Sequence, residues 1–244
     1  MTVKRCVDIL AAAIGLLVFS PLLASVMLAI WLQDRRSPFY VAPRGARGGG
    51  VFRMVKFRSM VVNADKTGVS STSEDDRRIT PIGRFVRAYK IDELIQLWNV
   101  LKGDMSLVGP RPQVPADIRL YTVAETRIQS ISPGITDLAS IVFADEARIL
   151  YGSSDPDLLY NQIIRPWKSR LALLYIDKRN VFLDAWLIVL TVTGMVSRMT
   201  ALKAIQELLW RWSADELLIR MCGRGEPLLP YPPPGATAVV TEYK

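Results

Sequence analysis

Apolar positions are distributed unevenly along this chain. Ile9 to Leu32 is an uninterrupted run of 24 residues without a charge. As a straight helix it would be about 36 Å long, enough to cross the roughly 30 Å hydrocarbon core of a bilayer. Two features predict a different path. Lys4 and Arg5 precede the run, and Arg35, Arg36, Arg44 and Arg47 follow it. Basic flanks favour the cytoplasmic side, here at both ends. Ser20-Pro21 also divides the run into halves of about 11 residues, each about 16 Å long. Proline removes a backbone donor and bends a helix, and a serine hydroxyl can serve the carbonyl so freed. Two half-thickness helices meeting there form a re-entrant hairpin; a kinked spanning helix is the alternative these residues leave open. The run is too long for a signal peptide, and no small-residue cleavage site follows it.

Downstream the pattern changes. FYVA and VFRMVKF are short β-prone runs separated by Gly45 and Gly48-Gly49-Gly50, which predicts a hairpin within residues 37–58. The glycines with Arg44 and Arg47 suit either a phosphate-cradling loop or a simple turn, and a lone glycine cluster favours the turn. Residues 64–78 are polar and predict a mobile loop. Thr80-Pro81 is a helix start, with threonine as N-cap and proline in the first turn. Ile82, Phe85, Val86 and Tyr89 then recur at helical spacing, with Arg84, Arg87 and Lys90 elsewhere, as in a helix lying on a membrane or a core. In the next helical pattern Ile91, Leu94, Ile95, Trp98 and Leu101 share an apolar face, opposite Asp92, Gln96 and Asn99. Lys102-Gly103-Asp104 ends it, and Gly109-Pro110-Arg111-Pro112 makes a stiff turn. Ser132-Pro133-Gly134 turns into a β-prone stretch, Ile135 to Phe143. Phe182 to Val196 is an apolar helix too short to span a bilayer. Near the end, Leu202, Ile205, Leu208, Leu209 and Trp212 form one stripe, and Leu217, Leu218 and Met221 another. Pro227 to Pro234 predicts an extended or disordered tail.

The 244 residues carry a net charge of +8 and are 50% hydrophobic. That balance suits an anionic partner such as phospholipid or nucleotide. No nucleic-acid motif accompanies it, so nucleic acid is not an expected partner. The chain has no histidine, which excludes Ser-His-Asp chemistry, His-ligated metals and an imidazole base. Cys6 and Cys222 form no metal or redox motif, consistent with a reducing, cytoplasmic exposure. Acid, base or nucleophile must therefore come from carboxylate, Lys, Tyr, Ser or Cys. Asp92-Glu93 lies between Arg87 and Lys90 on one side and Arg111 on the other. Such cations lower carboxylate pKa values and neutralise a diphosphate.

KFRSM (Lys56 to Met60) and DELIQLWNVLKGDMSLVGPRP (Asp92 to Pro112) together resemble the bacterial sugar transferases, the monotopic phosphoglycosyl transferases. The resemblance covers roughly residues 1 to 197 and includes Phe143-x-Asp145-Glu146, Asp155-Pro156, Tyr160, Pro166 and Lys168. It implies a mostly α, α+β fold. A re-entrant membrane hairpin at 1–36, kinked at Ser20 and Pro21, would precede a cytoplasmic catalytic domain at 37–197, with a β-hairpin and interfacial amphipathic helices. Residues 198–244 would be a helical extension and proline-rich tail. The resemblance also implies transfer of a sugar-1-phosphate from a UDP-sugar to a polyprenyl phosphate at the bacterial inner membrane, opening a surface glycan pathway. Asp92 matches the nucleophile and Glu93 the second carboxylate, with Mg²⁺ at Asp92 and Glu93. Lys56, Arg87 and Arg111 match phosphate or nucleotide contacts, and Pro110 and Pro112 the turn holding Arg111. Asp184 matches an acidic residue of the site architecture. A catalytically silent membrane scaffold is the competing class, but it needs neither Asp92-Glu93 nor Lys56. The chain departs from the family at Ile95, where proline is usual, and at Asp137, where glycine is usual. The C-terminal stripes lie beyond the resemblance and suit either the membrane surface or a homodimer.

Overall fold

The computed structural model describes residues 2–67 and 71–242. Helix α1, Val3–Asp34, contains the whole apolar run and is about 48 Å long at 1.5 Å per residue. The expected division into two helices does not occur, because α1 continues through Pro21. The compensation is local: the carbonyl of Leu17, which a residue-21 amide would have bonded, accepts from Ser20 Oγ at 2.7 Å. Both ends of α1 are fastened to the rest of the chain. At the start, Lys4 pairs with Asp184, Arg5 donates to the carbonyls of Val100 and Leu101 at 2.6 and 2.9 Å, and Asp8 accepts from Ser106 Oγ and Leu107 N. At the other end, Arg58 forks onto Asp34 at 2.5 and 2.7 Å. Between these tethers many large apolar side chains are exposed, among them Leu10, Leu17, Val18 and Leu32. By length and composition α1 is the one described helix able to cross a membrane.

Strands β1, Phe39–Gly45, and β2, Val51–Phe57, form the expected antiparallel hairpin. Gly48 and Gly49 take positive φ, 79° and 84°, as a tight turn requires. Phe52, Met54 and Lys56 are alternate residues of β2, so they share a face. Phe52 and Met54 bury against Ala12 of α1 and against Leu97 and Val100. Lys56 continues that face toward the next helices.

Helix α2, Pro81–Ala88, starts as predicted: Thr80 Oγ1 accepts from Gly83 N at 3.0 Å. Its stripe splits in two. Val86 is buried with Ile82 against α1, whereas Phe85 and Tyr89 pack with tilted rings, centroids 5.0 Å apart, and stay exposed. The following pattern folds as two short helices, α3, Ile91–Leu94, and α4, Leu97–Lys102. The expected apolar face packs inward except at Trp98, and the face expected to be polar is buried as well. Asp92, Gln96 and Asn99 are buried, and Trp98 is exposed. Asn99 explains much of this: its amide accepts from Val55 N and donates to Arg53 O at 2.9 and 2.8 Å, stitching α4 to β2.

Strand β3, Ser106–Val108, pairs in parallel with β4, Gly134–Thr136. A Cβ on Gly134 would lie 2.1 Å from Gly109 N, so the pairing requires glycine there. The longer strand expected over residues 135–143 does not form. Asp137 instead N-caps helix α5, Leu138–Val142, accepting from Ser140 N at 2.6 Å. A short helix α6, Glu146–Ile149, leads to α7, Arg165–Lys178, and α8, Val181–Val196.

The C-terminal segment forms α9, Arg198–Arg211, and α10, Glu216–Cys222. Leu202, Ile205, Leu209 and Leu218 are buried in the same core as Leu138, Val142, Leu171 and Leu187. The apolar stripe is therefore occupied within the chain and does not offer the open face expected for a second subunit or a membrane. The proline-rich tail is extended and docked. Tyr231 stacks on Trp167 at 4.5 Å, and the carbonyl of Pro232 accepts from Arg170 at 2.9 Å.

Candidate active site

A large open groove of about 2390 Å³ runs between α1, the hairpin, α2–α3 and the α5–α6 connection. Lys56, Arg87, Asp92, Glu93, Arg111 and Pro112 all line it. Residues separated by more than 50 positions thus meet in one place.

Each side chain arrives there for a local reason. Lys56 comes from the β2 face described above. KFRSM serves several contacts at once: Phe57 stacks on Phe39 at 5.8 Å, Arg58 holds the end of α1, and Ser59 accepts from Arg87 at 3.4 Å. Asp92 and Glu93 lie in the first turn of α3. That turn is set by Lys90, which adopts a left-handed backbone with φ 54° between α2 and α3. Such a conformation costs a non-glycine residue about 1–2 kcal/mol and persists only where packing imposes it. Arg111 projects from the turn after β3. Its amide donates to Asp137 at 3.3 Å, and Pro110 O accepts from Gly134 N at 3.0 Å. Asp137 is therefore a buried cap that also steadies the Arg111 backbone.

The two adjacent carboxylates have opposite surroundings. Glu93 is saturated by cations. Arg111 forks onto both its oxygens, with Nη1 at 3.0 Å from Oε2, and Lys56 Nζ lies 3.1 Å from Oε1. Burial alone would raise the Glu93 carboxyl, but Arg111 and Lys56 hold it well below the ordinary carboxylate range. Asp92 makes no hydrogen bond or ion pair among the described residues. Burial pushes its carboxyl above the ordinary range; Lys56 opposes that rise and the Glu93 charge adds to it. Burial also lowers Lys56 and Lys90, against the pull of Glu93. Asp92 is thus a buried carboxylate facing a cation-rich groove with its oxygens uncommitted.

That donor set bears on Mg²⁺. Magnesium usually takes one or two carboxylates together with substrate phosphate oxygens and water. Asp92 fits as such a ligand. Glu93, as held here, has both oxygens on cations. Among the described residues no group of three or more His, Cys, Asp or Glu gathers as a metal site, so a protein-only magnesium cage is not built here.

Asp184 does not line the groove. It accepts from Lys4 and, at 2.5 Å, from Tyr175, and both donors also reach Val108 O. Asp184 therefore ties α1 and α8 to the strand that carries Arg111, which is an architectural role. Arg44 lines the groove, but none of the loop residues Arg47 to Gly50 does. The glycine loop is a turn and the groove-facing cation beside it is Arg44. Sequence reasoning missed Asn99 as the stitch between α4 and β2. It placed Asp145 in the family pattern but missed that Arg198 and Arg224 converge on it. No local pattern marks such long-range pairings.

Known proteins share this arrangement of sequence. The family model described as bacterial sugar transferase matches residues 1–198. A UDP-glucose:undecaprenyl-phosphate glucose-1-phosphate transferase of Caulobacter vibrioides is 42% identical over 142 residues, covering 57% of this chain and 53% of that protein. A UDP-N-acetylgalactosamine-undecaprenyl-phosphate N-acetylgalactosaminephosphotransferase of Aeromonas hydrophila is 38% identical over 159 residues, covering 60% of this chain and 37% of that protein. An uncharacterized sugar transferase of Bacillus subtilis is 35% identical over 192 residues, covering 79% of this chain and 86% of that protein. The matches thus span about half or less of the first two relatives and most of the third. With its matched region reaching from residue 1 to residue 198, the chain belongs to the bacterial sugar transferase family.

Proposed function

We propose that this protein transfers a sugar-1-phosphate from a UDP-sugar to a polyprenyl phosphate, with Asp92 as a covalent nucleophile. The observation that carries the reading is the contrast between Asp92 and Glu93: one carboxylate is uncommitted, and its neighbour absorbs the cations that would otherwise silence it. The donor diphosphate enters the groove against Lys56, Arg87 and Arg111. Oδ of Asp92 attacks the β-phosphorus, the bond from that phosphorus to the bridging oxygen breaks, and UMP leaves. An oxygen of polyprenyl phosphate then attacks the same phosphorus. The aspartyl bond breaks, and polyprenyl-diphosphate-sugar is released with Asp92 restored. Mg²⁺, held by Asp92 and the diphosphate, would screen the phosphate charge that otherwise repels an anionic nucleophile.

The membrane placement rests on α1. Its apolar surface suits hydrocarbon, and both its ends are tethered to one folded body. That supports a course in which both ends of α1 stay on one face, the cytoplasmic face of the bacterial inner membrane. UMP release from a panel of UDP-sugars, with polyprenyl phosphate in detergent, tests the reaction. Mass spectrometry of the Asp92 peptide without acceptor tests the intermediate. A phosphosugar adduct on Asp92 is the expected result; release of UMP without any adduct, undiminished in Asp92→Asn, overturns the covalent route.

A further inference from the structure

We propose that the C-terminal segment positions the donor-facing wall of the groove through Arg198 and Arg224, an inference that rests on the transferase reading above. The wall is the stretch Phe143 to Arg148, which lines the groove. At its centre Asp145 receives two cations from the C-terminal segment. Arg198 Nη2 lies 2.6 Å from Oδ1, and Arg224 Nη2 donates to Oδ2 at 3.4 Å. The Arg224 guanidinium also sits 5.5 Å from the ring centre of Phe143. Next to Asp145, Glu146 pairs with Lys168, and the carbonyl of Ala147 accepts from Glu74 N at 3.0 Å. The clamp on Asp145 thus governs a short helix that carries three further groove-lining side chains.

Arg224 lies beyond the region matched by the family model, which ends at 198. It adopts a left-handed backbone, φ 54°, one residue past the Gly223 cap of α10. A non-glycine residue keeps that conformation only where its surroundings impose it, and such strain recurs at ligand clamps. Here Leu218 and Cys222, both buried in the main core, anchor the helix that delivers it.

The chemistry of the wall points to the donor rather than the lipid. Arg148, whose side chain makes no ion pair among the described residues, offers a charged donor to a nucleotide sugar. Asp145 and Glu146, held by Arg198, Arg224 and Lys168, fix the helix that carries it. The α1 side of the same groove offers Phe19 and Leu22, which suit an isoprenyl chain. Glu146 also acts on Arg111, the cation placed at the donor diphosphate. Arg224, which does not line the groove, is therefore a positioning residue: it touches Asp145, and the wall faces the donor. Arg198 holds Asp145 from within the groove lining.

The test compares Arg224→Ala and Arg224→Lys in the full chain, with Arg211→Ala as a control. Arg211 belongs to the same segment but, among the described residues, pairs only with Glu207 on an exposed surface. Arg224→Ala is expected to raise the donor KM about 10-fold with kcat within about twofold, while the KM for polyprenyl phosphate stays unchanged. Calorimetric UDP affinity should fall in parallel, Arg224→Lys should restore most of it, and Arg211→Ala should match wild type. A folded Arg224→Ala with wild-type donor KM and UDP affinity overturns the inference, as does a fall in kcat alone. If Arg224→Ala does not fold, Arg224→Gln carries the same comparison. If wild type releases no UMP from any UDP-sugar, the transferase reading fails separately. UDP affinity then decides the inference: weaker binding in Arg224→Ala supports it, and equal or absent binding overturns it.

Discussion

Asp92 in the groove and Asp184 at the foot of α1 are both buried aspartates near a lysine, yet their oxygens are used differently. Asp184 gives one oxygen to Lys4 and the other to Tyr175. Asp92 gives neither away, and Lys56, the cation that acts on it most, is spent on Glu93. A saturated buried carboxylate holds elements together. An unsaturated one, left to groove water, costs folding energy and stays free for a ligand or a reaction. The same contrast separates Glu93 from Asp92 one residue apart.

Removing the Asp92 charge is the strongest way to break this comparison. Asp92→Asn should lower kcat by about 10⁴-fold, since the amide is nearly isosteric but a far weaker nucleophile. It should also stabilise the fold. A carboxyl raised by burial binds its proton more tightly folded than unfolded, so its contribution is most favourable at low pH and is lost as pH rises through the folded value. At neutral pH the ionised Asp92 is a penalty that asparagine removes. Thermal unfolding should therefore rise by about 2–4 °C, the scale of roughly 1 kcal/mol in a chain of this size. An unchanged or lower midpoint would show that Asp92 is better satisfied than the geometry indicates.

Glu93→Gln is next. It frees Lys56 and Arg111 and removes the negative charge beside Asp92, so kcat should fall about 10²-fold. The pH profile of kcat/KM carries the sharper signal. Asp92 must be ionised to attack, so the rate falls as pH drops through its raised value. Without Glu93 both changes pull Asp92 down, and the acid limb should move to lower pH. A limb that stays in place would assign it to another group.

At Asp184 the expected effect is on stability rather than chemistry. Asp184→Asn weakens the hold on Lys4 and Tyr175, and should cost about 1–3 kcal/mol. Activity per folded molecule should remain within several-fold of wild type, as the groove does not include Asp184. A loss comparable to Glu93→Gln, with unfolding unchanged, would move Asp184 into the reaction.

These contrasts also mark what the sequence could and could not convey. Thr80-Pro81, the Gly48–Gly50 turn and the Gly109–Pro112 turn are local chemistry, and each folds as its residues dictate. KFRSM and Asp92-Glu93 were legible as a site because the motif is contiguous on each side. The buried face of α3–α4 was not, because Asn99 is polar and its partners, Arg53 and Val55, lie more than 40 positions away. The apolar stripe of α9 was visible, but its burial against Leu138 and Leu187 depends on the folding of α5 and α8. Periodicity identifies a face; it does not identify what covers that face.

The smallest expected effect belongs to α1. From the sequence alone, Ser20-Pro21 decides whether the apolar run turns back. In the fold two further devices act at the ends: Lys4, Arg5 and Asp8 at one, and Asp34 with Arg58 at the other. Ser20→Ala leaves the Leu17 carbonyl without its hydroxyl, which should cost about 1 kcal/mol, and more if that carbonyl faces hydrocarbon. It should not reorient the chain, because the tethers stay intact. A cysteine at Thr2, after Cys6 and Cys222 are replaced, should label only from the cytoplasmic side in both the parent and the Ser20→Ala variant. Labelling from the opposite side in the variant alone would mean that the hydroxyl, and not the tethers, sets the course of α1. Such labelling in the parent as well would make α1 a spanning helix and overturn the re-entrant reading.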